Sequence, residues 1–422
     1  MTNNNQNAGD QSLLRNLNLS AVLSELRNNK LISRAALAEL TGLNKATITR
    51  LVRELIDYGF VKEVGLLSTL STGRPSILLE LNPQAGFIIA ARLDIDYNAV
   101  ILTDFSGNII WRNELAHTPE DGQTLILDNL LSLILAAVDQ VEDESRPILG
   151  LGLSVPGLVD IDNGTLLFAP NLGWRNFSFR DWLGTHFDLP IYINNEANLA
   201  ALGESFLGAA RDSNYVLYIN ITSGVGSGIV YNKEILSGVA GIAGEVGHMT
   251  IDPHGPQCNC GNLGCWEAFV SAPAVLRRMR NRLKDGESSL ITEETLKHFS
   301  KHTISKLVEA AEQGDLLSRE ILKETGEYIG LGLANLINVL NPERVVLGGY
   351  LSPAYPLMLE EIKNSVQARA LEWAWRGADI VIAHFGSDAS LMGAFTTIHD
   401  HVLSYPIETL ARLGEGEQVE RR

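Results

Sequence analysis

The stretch "GLNKATITRLVRELIDYGFVKEVG", residues 42–65, decides the fold of the first part of the chain. Its apolar residues recur with the i, i+3, i+4, i+7 spacing of an amphipathic helix, namely Ile48, Leu51, Val52 and Leu55. Gly42 stands where a preceding helix would end, because glycine readily adopts the left-handed conformation of a C-terminal cap. Helix, short glycine turn and helix together predict a helix-turn-helix.

Two helices are predicted before this turn. The first shows the same apolar spacing at Leu19, Val22, Leu23 and Leu26. The second begins after Ser33, a residue type that caps helix N-termini, and ends at Gly42. With the helix that begins near Asn44, they form a three-helix module.

The outer face of the third helix has the chemistry of a DNA-reading surface. It presents cations for phosphates and hydroxyl groups for base edges, from Lys45, Thr47, Thr49, Arg50 and Arg53. A module that docks protein or only caps the body is the alternative for three helices alone. The polar, cationic face favours double-stranded DNA.

Two short β-like runs, "FVKEVG" and "SILLELN", follow this helix and predict a wing. They are joined by "LLSTLSTGRP", in which Arg74 stands between Gly73 and Pro75. An arginine on a narrow wing is suited to the DNA minor groove. We therefore predict a winged helix-turn-helix domain over residues 1–85.

Charge is divided unevenly along the 422 residues. Residues 1–85 carry nine Lys and Arg against seven Asp and Glu, a net charge of +2, whereas the remainder carries 24 against 43, a net charge of −19. An acidic body does not attract nucleic acid, so any contact with DNA is expected in the head alone.

The opening "MTNNNQNAGD" lacks the basic start and apolar core of a secretory signal. No apolar run reaches the roughly 18 residues that a membrane span needs. We therefore expect a cytoplasmic protein without membrane contact, in which persistent disulfides are rare.

All three cysteines lie in "CNCGNLGCWE", residues 258–267. Buried free thiols, or a disulfide with one thiol left over, are the alternatives to a metal site. Zinc favours a closed tetrahedron of thiolate and imidazole ligands, which predicts a structural zinc on His248, Cys258, Cys260 and Cys265. Gly261 and Gly264 allow this loop, residues 248–265, to fold back on one ion.

The body begins after Pro83 with a change of pattern. Three strands, "FIIAARLD", "NAVILTD" and "NIIWRNELA", precede an apolar helix over about Thr124 to Val141 and the buried strand "ILGLGLSVPG". A similar start recurs in "YVLYINIT" and "GSGIVYNKEILSG". This repetition predicts a duplicated α/β unit, with two lobes around a cleft over residues 86–402 and a C-terminal tail over 403–422.

Motifs along nearly the whole chain resemble the ROK family of bacterial repressors and sugar kinases. They are the head stretch quoted above, "GRPSILLELNP", "LSVPGLVD", "FAPNLGW", "NNEANLAALGE", "AGEVGHM" and "CNCGNLGCWEAFVS". The resemblance implies an α/β fold, in which an N-terminal winged helix-turn-helix precedes a two-lobed body like actin and hexokinase (ribonuclease H-like). The family's repressors carry such a head and its kinases lack it.

The resemblance also implies a set of sugar-binding residues, namely Asn195, Glu196, Glu245, His248 and Glu267. Carboxylates, an amide and an imidazole suit a ring of hydroxyl groups that both donate and accept. The zinc loop is expected to orient Glu267, while His248 gives one nitrogen to zinc and the other to the sugar.

Two departures from the family's kinases disfavour phosphoryl transfer. Kinases of the family have Asp-x-Gly-Gly-Thr after the first strand, and here "LDIDYNAV" keeps Asp94 but replaces the glycines and threonine with Asp96, Tyr97 and Asn98. Glu196 stands where those kinases have a catalytic aspartate. The later glycine turn "TSGVGSG" is intact, but such turns also join strands tightly.

The sequence thus predicts no enzyme but a sugar-responsive transcriptional repressor, similar to the family's xylose-responsive members. A palindromic operator implies a homodimer or higher homo-oligomer. The expected effector is an unphosphorylated aldose, with xylose before glucose, and an N-acetylhexosamine phosphate is left open. An ATP-dependent sugar kinase, an activator and a sensor controlled by a protein partner are the alternatives.

Overall fold

The computed structural model describes residues 4–67, 76–141, 143, 146–239, 241–296 and 301–419. Its head combines three helices with a small antiparallel sheet, whose strand order is β1-β3-β2. These elements are α1 (Asn4–Asn29), β1 (Ile32–Ser33), α2 (Arg34–Thr41), α3 (Lys45–Asp57), β2 (Val61–Leu67) and β3 (Ser76–Leu81).

The predicted caps Ser33 and Gly42 act as expected, and Asn44, near which the third helix was predicted to begin, caps that helix. The Ser33 side chain accepts a hydrogen bond of 3.2 Å from the Ala36 amide, and Asn44 accepts one of 2.9 Å from Thr47. Gly42 has a φ of +69°, the left-handed conformation that ends α2. Helix α1 begins earlier than the apolar pattern indicated, because Arg15 contacts Glu54 and Asn16 contacts Ser404, which anchors these additional turns.

The first lobe has a five-stranded sheet in the order β11-β7-β4-β5-β6, and beside it a three-stranded sheet in the order β10-β9-β8. Its strands are β4 (Phe87–Leu93), β5 (Tyr97–Asp104), β6 (Ile109–Ala116), β7 (Ile148–Val155), β8 (Leu158–Asp160), β9 (Thr165–Ala169), β10 (Trp174–Ser178) and β11 (Ile191–Asn195). The helices along this part of the chain are α4 (Gly122–Val138), α5 (Phe179–Gly184) and α6 (Glu196–Phe206), the last of which packs on the sheet of the second lobe.

The second lobe repeats this plan with the order β14-β13-β12-β15-β16. Its strands are β12 (Tyr215–Ile221), β13 (Val225–Tyr231), β14 (Glu234–Ile235), β15 (Arg344–Gly349) and β16 (Asp379–Ile382). The helices that follow α6 are α7 (Glu267–Val270), α8 (Ala272–Lys284), α9 (Lys301–Glu312), α10 (Leu316–Leu340), α11 (Tyr355–Arg369), α12 (Glu372–Gly377), α13 (Ala389–Ser404) and α14 (Pro406–Val419). Short 3₁₀ helices occupy Pro83–Ala85, Pro119–Asp121, Val246–His248, Ser352–Ala354 and Gly386–Asp388.

The two sheets confirm the predicted duplication. Each has a central strand, β4 or β12, with an antiparallel hairpin on one side and parallel strands on the other. The predicted fold class, a winged head followed by a two-lobed α/β body, is therefore correct.

Two expectations need correction. Residues 403–422 were expected to be a tail, but α14 packs Ile407 and Leu410 on the core, and Arg412 donates a hydrogen bond of 2.8 Å to the Leu149 carbonyl. The segment Pro119–Val138 has the length and composition of a possible membrane span. Its α4 portion packs along strand β5 and buries Ile126, Leu130 and Ile134, which identifies a core helix.

Candidate functional site

The third head helix separates an apolar face from a polar one. Ile48, Leu51, Val52 and Leu55 are fully buried. On the opposite face Lys45, Thr49, Arg50 and Arg53 are exposed, and Thr47 is half-buried. The Thr49 hydroxyl donates a hydrogen bond of 2.8 Å to the Lys45 carbonyl, which leaves its oxygen as an acceptor. Arg74 lies outside the described residues.

A cavity of about 150 Å³ lies between the two lobes, and we call it the cleft pocket. All five predicted sugar-binding residues line it. Side chains and turns from both lobes contribute, among them Ile95, Gly157, Asn171, Asn194, Asn195, Glu196, Ser223, Gly224, Glu245, His248 and Glu267. Among the described lining residues, none is lysine or arginine.

Asn195 positions the helix that enters the pocket. Its Oδ1 accepts hydrogen bonds from the amides of Ala197 (2.8 Å) and Asn198 (3.4 Å), and its Nδ2 donates to the Gly157 carbonyl (2.8 Å). The side chain therefore caps α6 and joins it to the loop after β7, with one N–H left for a ligand. This places Glu196 at a fixed point on the pocket wall.

Glu196 faces two environments. Its Oε1 accepts a hydrogen bond of 3.0 Å from Asn220, and its Oε2 lies 3.7 Å from Arg92 Nη2. Burial, together with the neighbouring charge of Asp94, raises the pKa of Glu196 to about 7. This carboxyl group thus links the cleft pocket to a buried charge cluster behind it.

The cysteine loop brings its four predicted ligands together. One ligand atom from each of His248, Cys258, Cys260 and Cys265 lies within 4.8 Å of all the others. The Cys260 and Cys265 sulfur atoms are 3.7 Å apart, and His248 Nδ1 is 3.8 Å from the Cys258 sulfur. Gly261 and Gly264 have φ values of +93° and +65°, as the tight loop requires. This cluster could hold a metal ion.

His248 is shared between the cysteine loop and the pocket. Its Nδ1 faces Cys258, whereas its Nε2 lies 4.0 Å from Glu245 Oε2. The two ring nitrogens therefore point to different partners, and the dual role of His248 toward zinc and sugar stays a prediction.

Glu267 connects the cysteine loop to the glycine turn of the second lobe. Its Oε2 accepts a hydrogen bond of 2.9 Å from the Val225 amide, and its Oε1 lies 3.6 Å from the Cys258 sulfur. The preceding residue, Trp266, is fully buried and donates a hydrogen bond of 2.8 Å to the Tyr328 carbonyl. A Cβ on Gly224 would lie 2.6 Å from Glu267 Oε2, so a larger residue there would displace the carboxylate from this position.

Beside the cleft pocket, five polar side chains form what we call the Arg92 cluster: Arg92, Asp94, Asp96, Glu196 and Tyr350. Arg92 pairs with Asp94, and the Tyr350 hydroxyl lies 3.2 Å from Asp94 Oδ2 and 2.9 Å from Asp96 Oδ1. Burial and the charge of Asp94 raise the pKa of Asp96. Since Tyr350 follows β15, this cluster joins the second lobe to the β4–β5 turn of the first.

Arg92 and Tyr350 were not among the predicted site residues. An arginine inside the apolar strand "FIIAARLD" is a usable signal, because a buried arginine needs a partner. Asn171 and Asn194 were also missed, although both lie in quoted motifs and line the pocket.

The fold and the cleft define a class of protein, in which a two-lobed body like that of sugar kinases carries a winged-helix head. The sequence profile of the ROK family matches residues 89–401, and a profile for winged helix-turn-helix DNA-binding matches residues 15–62. The chain therefore belongs to the ROK family.

Both a repressor and a sugar kinase are among the relatives that are similar to the chain. A putative xylose repressor from Caldicellulosiruptor sp. (strain Rt8B.4) is 35% identical over 399 residues, which cover 94% of this chain and 99% of the relative. A glucokinase from Halalkalibacterium halodurans (strain C-125) is 36% identical over 289 residues, covering 68% of this chain and 87% of the enzyme.

A solved structure resembles the fold over almost its full length. The crystal structure of a ROK family transcriptional regulator, a homologue of the E. coli MLC protein, superposes with a TM-score of 0.80 at 26% identity. The superposition covers 95% of this chain and 100% of that regulator. The head and the body are thus found together in a known regulator of transcription.

Proposed function

We propose that the chain is a sugar-responsive, DNA-binding transcriptional repressor of carbohydrate utilisation genes, with an unphosphorylated aldose as inducer. The observation that carries the proposal is the cleft pocket, where Glu196, Glu245, Glu267 and His248 converge without a lysine or arginine in the described lining. Carboxylates accept hydrogen bonds from hydroxyl groups but repel a phosphate. Xylose is the first candidate and glucose the second, and the pocket disfavours an N-acetylhexosamine phosphate.

The Arg92 cluster argues against a sugar kinase. Asp94, Asp96 and Glu196 supply three carboxyl groups and Arg92 one cation, so the cluster does not attract the anionic phosphates of ATP. Tyr350 contacts Asp94 and Asp96 from the other lobe.

Zinc is the metal that suits the cysteine loop best. Four bonds of about 2.3 Å in a tetrahedron place thiolate sulfur atoms roughly 3.8 Å apart, and the Cys260 and Cys265 sulfur atoms lie 3.7 Å apart. With His248, Cys258, Cys260 and Cys265 as four protein ligands, no position is left for substrate, so the zinc has a structural role.

Operator binding is assigned to the outer face of α3, through Lys45, Thr47, Thr49, Arg50 and Arg53, with Arg74 on the wing in the minor groove. Two copies of the chain read a palindrome in the cytoplasm. The sugar releases DNA because it binds more tightly to the state whose heads do not fit the operator, and moving a balance from 1:99 to 99:1 needs a preference of about 10⁴-fold.

The test begins with a duplex that the full-length protein selects from a random-sequence pool. Fluorescence anisotropy at fixed salt then measures its affinity for wild-type protein, for Arg50→Ala and for Arg34→Ala. Arg50→Ala should weaken binding at least about tenfold, the usual value of one good base contact. Arg34→Ala is the matched control, because Arg34 belongs to α2 and pairs with Glu63 of β2 at 2.7 Å.

The complex is next titrated with D-xylose, D-glucose and N-acetylglucosamine 6-phosphate. Relief by xylose or glucose, but not by the phosphate ester, supports the proposal. Selective binding that only the phosphate ester relieves contradicts the assigned inducer, and the absence of any selective binding contradicts the repressor.

A further inference from the structure

Arg27 is one of the head residues that contact the body, as Asn16 also does. It lies near the end of α1, and its side chain is only 15% exposed. Its Nη1 lies 2.7 Å from Asp400 Oδ1, and its guanidinium carbon lies 4.6 Å from the centre of the Phe206 ring. The arginine therefore makes an ion pair and a cation–π contact with the body.

The two partners of Arg27 belong to two different helices that start at the cleft. Phe206 is the last residue of α6, and Glu196, on the pocket wall, is the first. At a rise of 1.5 Å per residue, the two ends of this helix are about 15 Å apart. Asp400 lies on α13, which follows Ser387, and the Ser387 carbonyl accepts a hydrogen bond of 2.7 Å from Arg92. Both helices thus run from the Arg92 cluster to Arg27.

Helices α6 and α13 are in direct backbone contact. A Cβ on Gly203 of α6 would lie 2.6 Å from the Ala389 carbonyl oxygen, and one on Gly393 of α13 would lie 1.7 Å from that of Leu199. Helix α6 packs on β12 and β13 of the second lobe, whereas α13 packs on β4 and β7 of the first. A change in the angle between the lobes therefore slides one helix along the other.

The contact between head and body has room to rearrange. A cavity of about 350 Å³ lies there, lined by Leu26 and Lys30 of the head and by Leu207, Phe395 and His399 of the body. Arg27 Nε and His399 Nε2 are buried without a hydrogen-bond partner among the described residues. Because unsatisfied buried groups are costly, an arrangement of the head that gives both nitrogens a partner would offset part of the cost of moving it.

We propose that Arg27 is the joint that transmits sugar binding to the DNA-binding head. The sugar contacts Glu196 and changes the lobe angle, which displaces Phe206 relative to Asp400 and so turns α1 with the head. This inference rests on the proposed function, since it needs a sugar that releases DNA.

The experiment measures coupling, defined as the operator dissociation constant with saturating D-xylose divided by that without it. Affinities for the selected duplex and for D-xylose are measured separately, by anisotropy and by calorimetry, on the full-length protein. In Arg27→Ala, each separate affinity should stay within about threefold of wild type, while the coupling falls at least fivefold, within the range of about 5- to 150-fold typical of allosteric effects.

Three further variants sharpen the result. Asp400→Asn should lose coupling as Arg27→Ala does, and it leaves the sequence of the head unchanged. Arg27→Lys should lose part of it, because lysine keeps the charge but not the planar group above Phe206. Arg15→Ala, on the same helix, should keep full coupling, since Arg15 Nε contacts Glu54 within the head at 3.0 Å.

Full coupling in both Arg27→Ala and Asp400→Asn overturns the inference. If Arg27→Ala has a lower melting temperature than the wild-type protein, the inference is tested by Asp400→Asn alone. If the wild-type protein shows no coupling, the proposed function is overturned, and this inference with it. If the wild-type protein shows coupling and the variants keep all of it, only the role of Arg27 as the joint is overturned.

Discussion

The first turns of the two lobes occupy equivalent places but differ in what they contact. In the first lobe Asp94, Ile95 and Asp96 join β4 to β5, and the turn is bound by Tyr350 of the opposite lobe. In the second lobe Thr222, Ser223 and Gly224 join β12 to β13, and Glu267 holds the Val225 amide after the turn. One turn became a contact between lobes, while the other remained a wall of the pocket.

This difference separates what the fold determines from what side chains determine. The same strand order places both turns at the cleft. Whether a turn admits a ligand depends on the residues that it carries, since glycine leaves the backbone accessible while Asp96 brings charge and a partner across the cleft. The predictions below alter each turn or its support, beginning with the largest expected effect.

Loss of the proposed zinc should disturb the second-lobe turn most. Cys265→Ser should lose bound zinc, lower the melting temperature on the order of 10 °C, and abolish D-xylose binding, because the loop that orients Glu267 loses its fixed geometry. Metal content by mass spectrometry and calorimetry check this. The exposed, neighbouring His254→Ala should change neither, and normal metal content in Cys265→Ser would mean that the cluster is not the metal site.

The Arg92 cluster, which includes the first-lobe turn and Glu196, should make the stability of the protein depend on pH. The pKa of Glu196 is raised to about 7 from an ordinary 4.5, so the folded protein keeps a proton that the unfolded chain releases. The resulting stability is fully present below pH 4.5 and is lost as pH rises to about 7. Glu196→Gln should remove up to about 3 kcal/mol of this dependence.

Denaturant unfolding of wild type and Glu196→Gln between pH 5 and 8 measures the difference. Asp96, whose pKa is also raised, contributes a slope of the same sign in both proteins. The lowered pKa of buried His399, about 3, contributes the opposite slope in both. Parallel curves for the two proteins would contradict the assigned role of Glu196.

Loss of one charge at the second-lobe turn should weaken sugar binding alone. Glu267→Gln should raise the D-xylose dissociation constant about 10- to 100-fold, since hydrogen bonds to charged groups contribute about 1.5–3 kcal/mol. Affinity for the operator should be unchanged. Glu234→Gln, an exposed glutamate of the same lobe, is the control, and equal sugar affinity in both variants would exclude Glu267 from the site.

The smallest effect is expected where the two lobes meet. Tyr350→Phe removes the hydroxyl that lies between Asp94 and Asp96 and should cost about 1 kcal/mol of stability, or a few degrees in melting temperature. Tyr355→Phe is the control, because its hydroxyl donates a hydrogen bond of 2.9 Å to Gly348 within one lobe. Only Tyr350→Phe should also alter the affinity for D-xylose, since it alone changes the contact between lobes.

Much of this arrangement was predictable from local sequence. The caps at Ser33, Gly42 and Asn44, the first strands of each lobe and the convergence of His248 with three cysteines follow from short-range spacing and residue chemistry. These features depend on neighbours within a few residues or on one loop. Periodicity and capping rules are reliable over that range.

The contacts that join distant segments were not predictable in the same way. Tyr350 meets Asp96 across 254 positions, and Arg27 meets Asp400 across 373. Nothing in the local pattern of either residue indicates its partner, because such pairs exist only after both lobes and the head have packed. The role of Asn195 as a helix cap was not predicted either, because an amide side chain can form hydrogen bonds with a sugar as well as with backbone groups.

Titration calorimetry tests the central claim, that this cleft keeps a sugar site and has lost its phosphate site. D-xylose is injected into the full-length, zinc-loaded protein, and Mg-ATP is then injected into the xylose-saturated complex. One molecule of xylose bound per chain, and no heat or phosphorylated sugar after Mg-ATP, is the predicted result. Saturable binding of Mg-ATP with formation of a xylose phosphate would contradict the account.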